Sequence, residues 1–276
     1  MSRMVLKSPS EIAIMHEANL IIRRTLRDLS GVIRVGMTTD EIDAFAEERI
    51  RAEGGIPAFK GYPHRGDGND FPGTACVSVN EEVVHGIPSD RVLQAGDIIS
   101  IDTGCRVDGW CGDAAVTRPV GDIRPETQQL LDVTQQVLAL AIELMAVKNL
   151  WSDVAAEMAR FVGDHGFSTV ECFVGHGIGR EMHEEPQVPN FVNRSLRSSG
   201  DFRLEPGLVI AVEPMVNMGT KRVKILADHW TQVTQDGKPS AHFEHTIAMT
   251  TDGPQPLTVA PSKAESAQLD PAIWGT

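Results

Sequence analysis

The chain has 276 residues and a mass of 30.0 kDa, 41% hydrophobic and 23% charged, with a formal net charge of −13. A chain of this size buries roughly three quarters of its unfolded surface as one large domain, and the acidic balance excludes a surface built to hold nucleic acid. No apolar stretch approaches a membrane span, and Cys76, Cys105, Cys111 and Cys172 lack C-x-x-C spacing, so with no export signal they read as reduced thiols of a cytoplasmic protein.

Along the chain, Ser8-Pro9-Ser10-Glu11 opens a first helix with a capping residue, a proline at the first helical position and an acid at the third. Ile12, Met15, Ile22, Leu26 and Leu29 follow at approximate helical spacing, and Arg23, Arg24 and Arg27 read as a solvated basic face. Thr38 and Glu41 form the capping box of a second helix that stops at Gly54-Gly55. A strand runs from Thr74 to Asn80. The spacing of Leu130, Val133, Val137, Ala141 and Leu144 predicts a third helix from about Pro125 to Met145, and a fourth runs from near Ser152 to near Gly166. Each helix pair precedes strands. The repeat predicts a pseudo-two-fold α+β domain over residues 1–276, with its core in 7–257 and a polar tail from Ala260 to Thr276.

Five potential metal ligands stand in short strand or turn segments: Asp102, Asp113, His176, Glu213 and Glu244. The run Asp97 to Asp102 reads as a buried strand, Asp108-Gly109 is a hairpin signal, and the chain returns through Trp110 to Val116. A turn near Val107 and Asp108 sets Asp102 and Asp113 across from each other, to within a register step, where cross-strand Cβ atoms lie about 5 Å apart. Glycines flank His176 and allow close approach of the backbone. Glu213 closes the apolar run Leu208 to Val212 and is held extended by Pro214. Glu244 falls in the run Ala241 to Met249, read as one alternating strand that puts His242 and Thr246 on its face. Gathered together, the five would carry about four negative charges, which survive burial only if cations neutralise them. Oxygen-rich ligands with one nitrogen suit a hydrolytic pair of hard or borderline divalent ions.

The segments Asp102-Thr103-Gly104, Gly112-Asp113, Gly175-His176-Gly177-Ile178-Gly179, Val212-Glu213-Pro214-Met215 and Phe243-Glu244-His245-Thr246 resemble those of the type I methionine aminopeptidases. So do the run Asn80 to Pro88, which includes His85, and His183-Glu184-Glu185-Pro186. The likeness extends from about Lys7 to about Leu257. Each motif alone is weak; all of them in order are specific.

This resemblance implies the pita-bread fold, with the motifs on a central antiparallel sheet. It implies two divalent ions, of cobalt, manganese, iron or zinc, held by the five residues above, and hydrolysis of the first peptide bond of nascent proteins with a small second residue. Glu213 would relay a proton, His183 would face the carbonyl oxygen, and His85 the scissile nitrogen. Phe71, Cys76 and Trp230, with Tyr62 nearby, would wall the methionine pocket. Met182 would fill space there that a relative's phenylalanine takes, and Gly68 falls where many relatives have a tyrosine. The resemblance further suggests a monovalent cation near Asn80, Glu82 and Ser240, and nascent polypeptide N-termini as partners. A transient ribosome contact, no membrane and a monomeric state complete the expectation.

His229, His242 and His245 receive no role from these patterns, and His16, His64 and His165 are read as surface or loop residues. A prolidase or Xaa-Pro aminopeptidase would carry an extra N-terminal domain, and a type II methionine aminopeptidase a long insertion between His176 and Glu213. A non-catalytic binding protein on the same fold would have lost ligands and gained a basic surface.

Overall fold

The helix starts form where the side chains can satisfy the free backbone donors of a first turn. Ser8 accepts from the Glu11 N–H while the Glu11 carboxylate accepts from the Ser8 N–H, ahead of α1 (Pro9–Val32). Thr38 and Glu41 repeat this box ahead of α2 (Thr39–Ala52). Helices α3 (Pro125–Met145) and α4 (Trp151–Asp164) form the second pair. The computed structural model describes residues 4–64, 66 and 68–259; the tail expected from Ala260 lies outside them.

The helices cover one face of a nine-stranded sheet in which every pairing is antiparallel. Its centre is the hairpin of strands Ile98–Val107 and Trp110–Pro119, turned at Asp108 (φ 50°) and Gly109 (φ 79°). Two positive φ values in a two-residue turn are what the Asp-Gly pair supplies. Beyond it come Glu244–Thr250, Val209–Val212, Gly175–Gly177 and Glu184–Val188, in that order. Helix α1 approaches the hairpin backbone to backbone: a Cβ on Gly112 would stand 2.6 Å from the Asn19 nitrogen. Only glycine permits that contact. Asn19, wholly buried, donates to the Met15 carbonyl at 2.8 Å and accepts from the Asp113 N–H at 3.2 Å.

Two expectations change here. The run Ala241 to Met249 is not one strand: it breaks at Phe243 into Ser240–His242, which joins a small sheet with Met215–Asn217, and Glu244–Thr250, which joins the large one. Arg23 is not on a solvated face but only 5% exposed, because α1 packs against both the sheet and α2. Arg24 and Arg27 pair with Glu53 and Asp28. Among the described residues no helix is long and apolar enough to cross a membrane.

Candidate metal centre and substrate pocket

Strand register places the five ligand candidates on one face. Residues directly opposed in an antiparallel pair point to the same side, and so do residues two apart on a strand. Asp102 opposes Ala115, and Ala115 opposes Glu244, so these form one row across three strands. Asp113 lies two residues from Ala115 on the same side. The next row is Thr246, Ala211 and His176. Glu213 follows the last paired residue, Val212, and so falls beside Glu244. The face is opposite the one α1 covers.

The side chains converge. One ligand atom each from Asp113, His176 and Glu244 falls within 4.8 Å of the others. His176 Nε2 is 3.5 Å from Glu213 and 3.9 Å from Asp113. Its Nδ1 lies 3.0 Å from the Gly177 carbonyl, which fixes the proton on Nδ1 and turns the Nε2 lone pair toward the carboxylates. Asp102 completes the cluster beside Asp113.

Electrostatics and polar accounting both describe a site built for cations. Burial raises Asp102 to about 7. Asp113 is raised well above the carboxylate range by burial and then by the Glu244 and Asp102 charges; Glu213 and Glu244 are raised likewise, by burial and by neighbouring carboxylates. Burial, then the neighbouring His183, lowers His176 to about 3, leaving the neutral imidazole a ligand needs. One oxygen of each of Asp102, Asp113 and Glu244 is buried without a hydrogen-bond partner. Buried carboxylate oxygens are seldom left so, and divalent cations would satisfy them.

The sign of a pH effect follows. Above about pH 7.5, a unit past the unfolded histidine value, the depressed histidines His85, His176, His242 and His245 are neutral in both folded and unfolded chains. The cluster carboxyls are shifted the other way by burial, Asp102 to about 7 and Asp113, Glu213 and Glu244 well above the carboxylate range, while the unfolded chain's carboxyls have released their protons. The native state then binds more protons, so stability of the metal-free protein falls as pH rises. The melting temperature of chelated protein is expected to drop between about pH 7.5 and pH 8.5 and to recover when manganese or cobalt is added. A chelated protein that became more stable over that range would contradict the clustering of protonated carboxyls.

A cavity of about 480 Å³ opens above the carboxylates, lined by Phe59, Tyr62, Phe71, Cys76, His85 and Trp230 among others. Phe71 and Trp230 meet edge to face, centroids 5.2 Å apart. His183 faces the cavity with its ring 4.3 Å from that of His176, and its Nδ1 is 2.7 Å from the Tyr62 hydroxyl. His85 sits at φ 59°, and burial, then His183, lowers it to about 4. The loop carrying His183 is clamped from a distance: buried Lys7 reaches Glu184 at 2.7 Å, while the Lys7 N–H donates to the Gly207 carbonyl at 2.7 Å. Losing the Tyr62 hydroxyl in Tyr62→Phe removes one neutral hydrogen bond, and kcat is expected to fall about three- to ten-fold; an unchanged rate would show that His183 is oriented without it.

Met182 does not stand on the pocket wall. It is 1% exposed and lies behind the lining, where its methyl group would meet a Cβ on Gly104 at 2.6 Å. The two residues lie in the bend that leads into Glu184–Val188, where His183 faces the cavity and Met182 turns inward toward Gly104. Three histidines left without a role are nearby instead. His64 and His229 line the cavity, and His242, fully buried, holds Nε2 3.7 Å from Glu213. His242 shared the strand pattern of Glu244, a signal that could have found it; nothing local marked His64.

Residues 13–251 match the model of metallopeptidase family M24. The chain is similar to methionine aminopeptidase 1 of Bacillus subtilis, 46% identical over 254 residues, covering 92% of this chain and 98% of that protein. It resembles the crystal structure of methionine aminopeptidase from Thermotoga maritima with a TM-score of 0.86 and 40% identity, over 94% of this chain and all (100%) of that one. Prolidase from Pyrococcus furiosus shares the fold alone: TM-score 0.72, 20% identity, with 66% of that longer chain covered.

Proposed function

The chain belongs to metallopeptidase family M24, and we propose that it removes the N-terminal methionine from nascent proteins and peptides whose second residue is small. The observation that carries this reading is the cluster of Asp102, Asp113, His176, Glu213 and Glu244 at the floor of an aromatic-walled cavity. Two divalent ions would be held by this donor set of Asp102, Asp113, His176, Glu213 and Glu244. Manganese, iron, cobalt and zinc all suit it. When bound, such ions supply Lewis acidity and a water activated near neutral pH.

The chain's own groups do the rest. The carboxylates attract the free amine of the substrate, which an internal peptide nitrogen cannot offer, and this restricts cleavage to the first bond. With Nδ1 engaged by Tyr62, His183 presents Nε2–H to the carbonyl oxygen as it gains charge. His85 stands by the leaving nitrogen, and Glu213 passes it a proton. Phe71 and Trp230 take the methionine side chain, whose thioether packs well against ring edges. A monovalent cation beside Asn80, Glu82 and Ser240 belongs to the same reading; Asn80 turns there at φ 56° and its carbonyl accepts the Ser240 N–H at 2.9 Å. So do a cytoplasmic, monomeric state and a transient ribosome contact as nascent chains emerge.

Release of methionine from Met-Ala-Ser, abolished by a chelator and restored by manganese or cobalt, tests the function; peptide turnover indifferent to chelation would refute it. Among first residues, an apolar pocket separates side chains of similar size by only about 1–3 kcal/mol. kcat/KM for norleucine- and leucine-starting tripeptides is therefore expected about 10- to 200-fold or less below that for methionine. Leucine cleaved as fast as methionine would leave the metal chemistry standing but not the substrate assignment.

A further inference from the structure

The loop between Tyr62 and Phe71 is built around a histidine that the reaction so far does not use. Its neck is closed by the Phe71 N–H on the Tyr62 carbonyl at 2.9 Å and the Gly61 N–H on the Phe71 carbonyl at 2.8 Å. Within it, His64 Nδ1 accepts from two backbone donors, Gly66 N–H and Gly68 N–H, each at 3.0 Å. The His64 ring stands edge to face on Trp230, centroids 5.1 Å apart, and 6.2 Å from His229. The Trp230 indole N–H in turn donates to the Asn69 carbonyl at 2.8 Å. A side chain at Gly68 would run into the His64 ring, with its Cβ 2.9 Å away. The loop and the pocket wall are therefore locked together through His64.

Its place in the cavity indicates what it meets. The floor is the carboxylate cluster and the walls are Phe71 and Trp230, while Pro63, Cys172, Gln187 and His229 line the cavity on its exposed side. His64, half-buried between Pro63 and Trp230, is part of that rim. A substrate with its amine at the floor and its first side chain against the walls must carry its remaining backbone out past this rim. Because Nδ1 already accepts two N–H groups, the neutral ring keeps its proton on Nε2. That leaves a donor, and the acceptors an outgoing peptide offers are its carbonyls.

We propose that His64 is a specificity-determining residue that donates Nε2–H to a backbone carbonyl of the substrate beyond the scissile bond, so that the rim loop favours true peptides over substrates ending at that bond. This rests on the aminopeptidase reading above. The test compares kcat/KM for Met-Ala-Ser with that for a methionine anilide, which has no carbonyl at the second residue. His64→Asn keeps an acceptor near the Nδ1 position for the two glycine amides but lacks the distal donor; His64→Gln keeps a distal donor but not that acceptor. The His64→Asn variant is expected to lower the peptide-to-anilide ratio about five- to ten-fold, the worth of one neutral hydrogen bond, with the anilide itself within about two-fold of wild type. The His64→Gln variant should retain most of the ratio. An unchanged ratio in His64→Asn, an equal fall on both substrates, or loss in His64→Gln alone would overturn the proposal, the last because His64 would then only build the loop. Wild-type protein that cleaved neither substrate when loaded with manganese would instead sink the aminopeptidase reading itself.

Discussion

Asp113→Ala and Glu244→Ala are each expected to lower kcat/KM on Met-Ala-Ser by at least about 100-fold, or about 2.7 kcal/mol at 1.36 kcal/mol per factor of ten. Both residues are nearly fully buried, 3% and 2% exposed, and both belong to the trio, with His176, whose ligand atoms all lie within 4.8 Å of one another. On the proposed reading each is a metal ligand, so metal content after dialysis should fall with the rate. The stability signature runs the other way. In metal-free protein the cluster is a group of carboxyls raised by burial and mutual repulsion, so deleting one relieves repulsion and the chelated variant should melt no lower than chelated wild type near pH 8. A variant that lost activity and melted far lower would be failing to fold. A variant that kept more than about a tenth of the wild-type rate would break the proposed role of these residues as metal ligands.

His183→Ala is expected to lower kcat by about 100- to 1,000-fold with a much smaller change in KM. A donor aimed at a developing oxyanion matters most when charge appears, and removal of such a donor elsewhere costs a few kcal/mol. The side chain stands where that role requires, its ring 4.3 Å from His176 and its Nδ1 2.7 Å from the Tyr62 hydroxyl. If KM rose while kcat held, His183 would be a binding group, and the polarisation of the carbonyl would have to come from elsewhere.

What the sequence disclosed and what it hid divide along the range of the interactions concerned. Capping at Ser8 and Thr38, the Asp-Gly turn and the glycines around His176 are local chemistry, and each element formed where that chemistry put it. The hairpin offset was legible only to a step: Asp102 opposes Ala115 and Asp113 opposes Gly104, a diagonal pair on one face. The break at Phe243 was hidden, because both halves read as strand and only their partners in separate sheets part them. His64 was hidden more deeply. Its importance comes from Trp230, far along the chain, and a polar, glycine-rich loop carries no periodicity to announce such a contact. Met182 was misplaced for a related reason: a neighbour's position was used for its own, and in the bend before Glu184–Val188 the local path of the chain turns the two side chains apart.

The ion pair between Lys7 and Glu184 has a practical consequence for anyone who trims or extends this protein. It joins the first described stretch of chain to the residue adjoining His183, and no sequence pattern links the two. Deleting residues 1–7 would leave the Glu184 carboxylate beside Gly179 without its ammonium, loosening the segment that aims an imidazole at the substrate. Such a truncation should reduce turnover more than it reduces metal uptake, since the carboxylate floor rests on the hairpin and α1 rather than on this arm. Equal losses of rate and metal would place the damage in the fold as a whole. Tags and fusions are therefore better joined with Lys7 left in register than grafted directly onto Ser8.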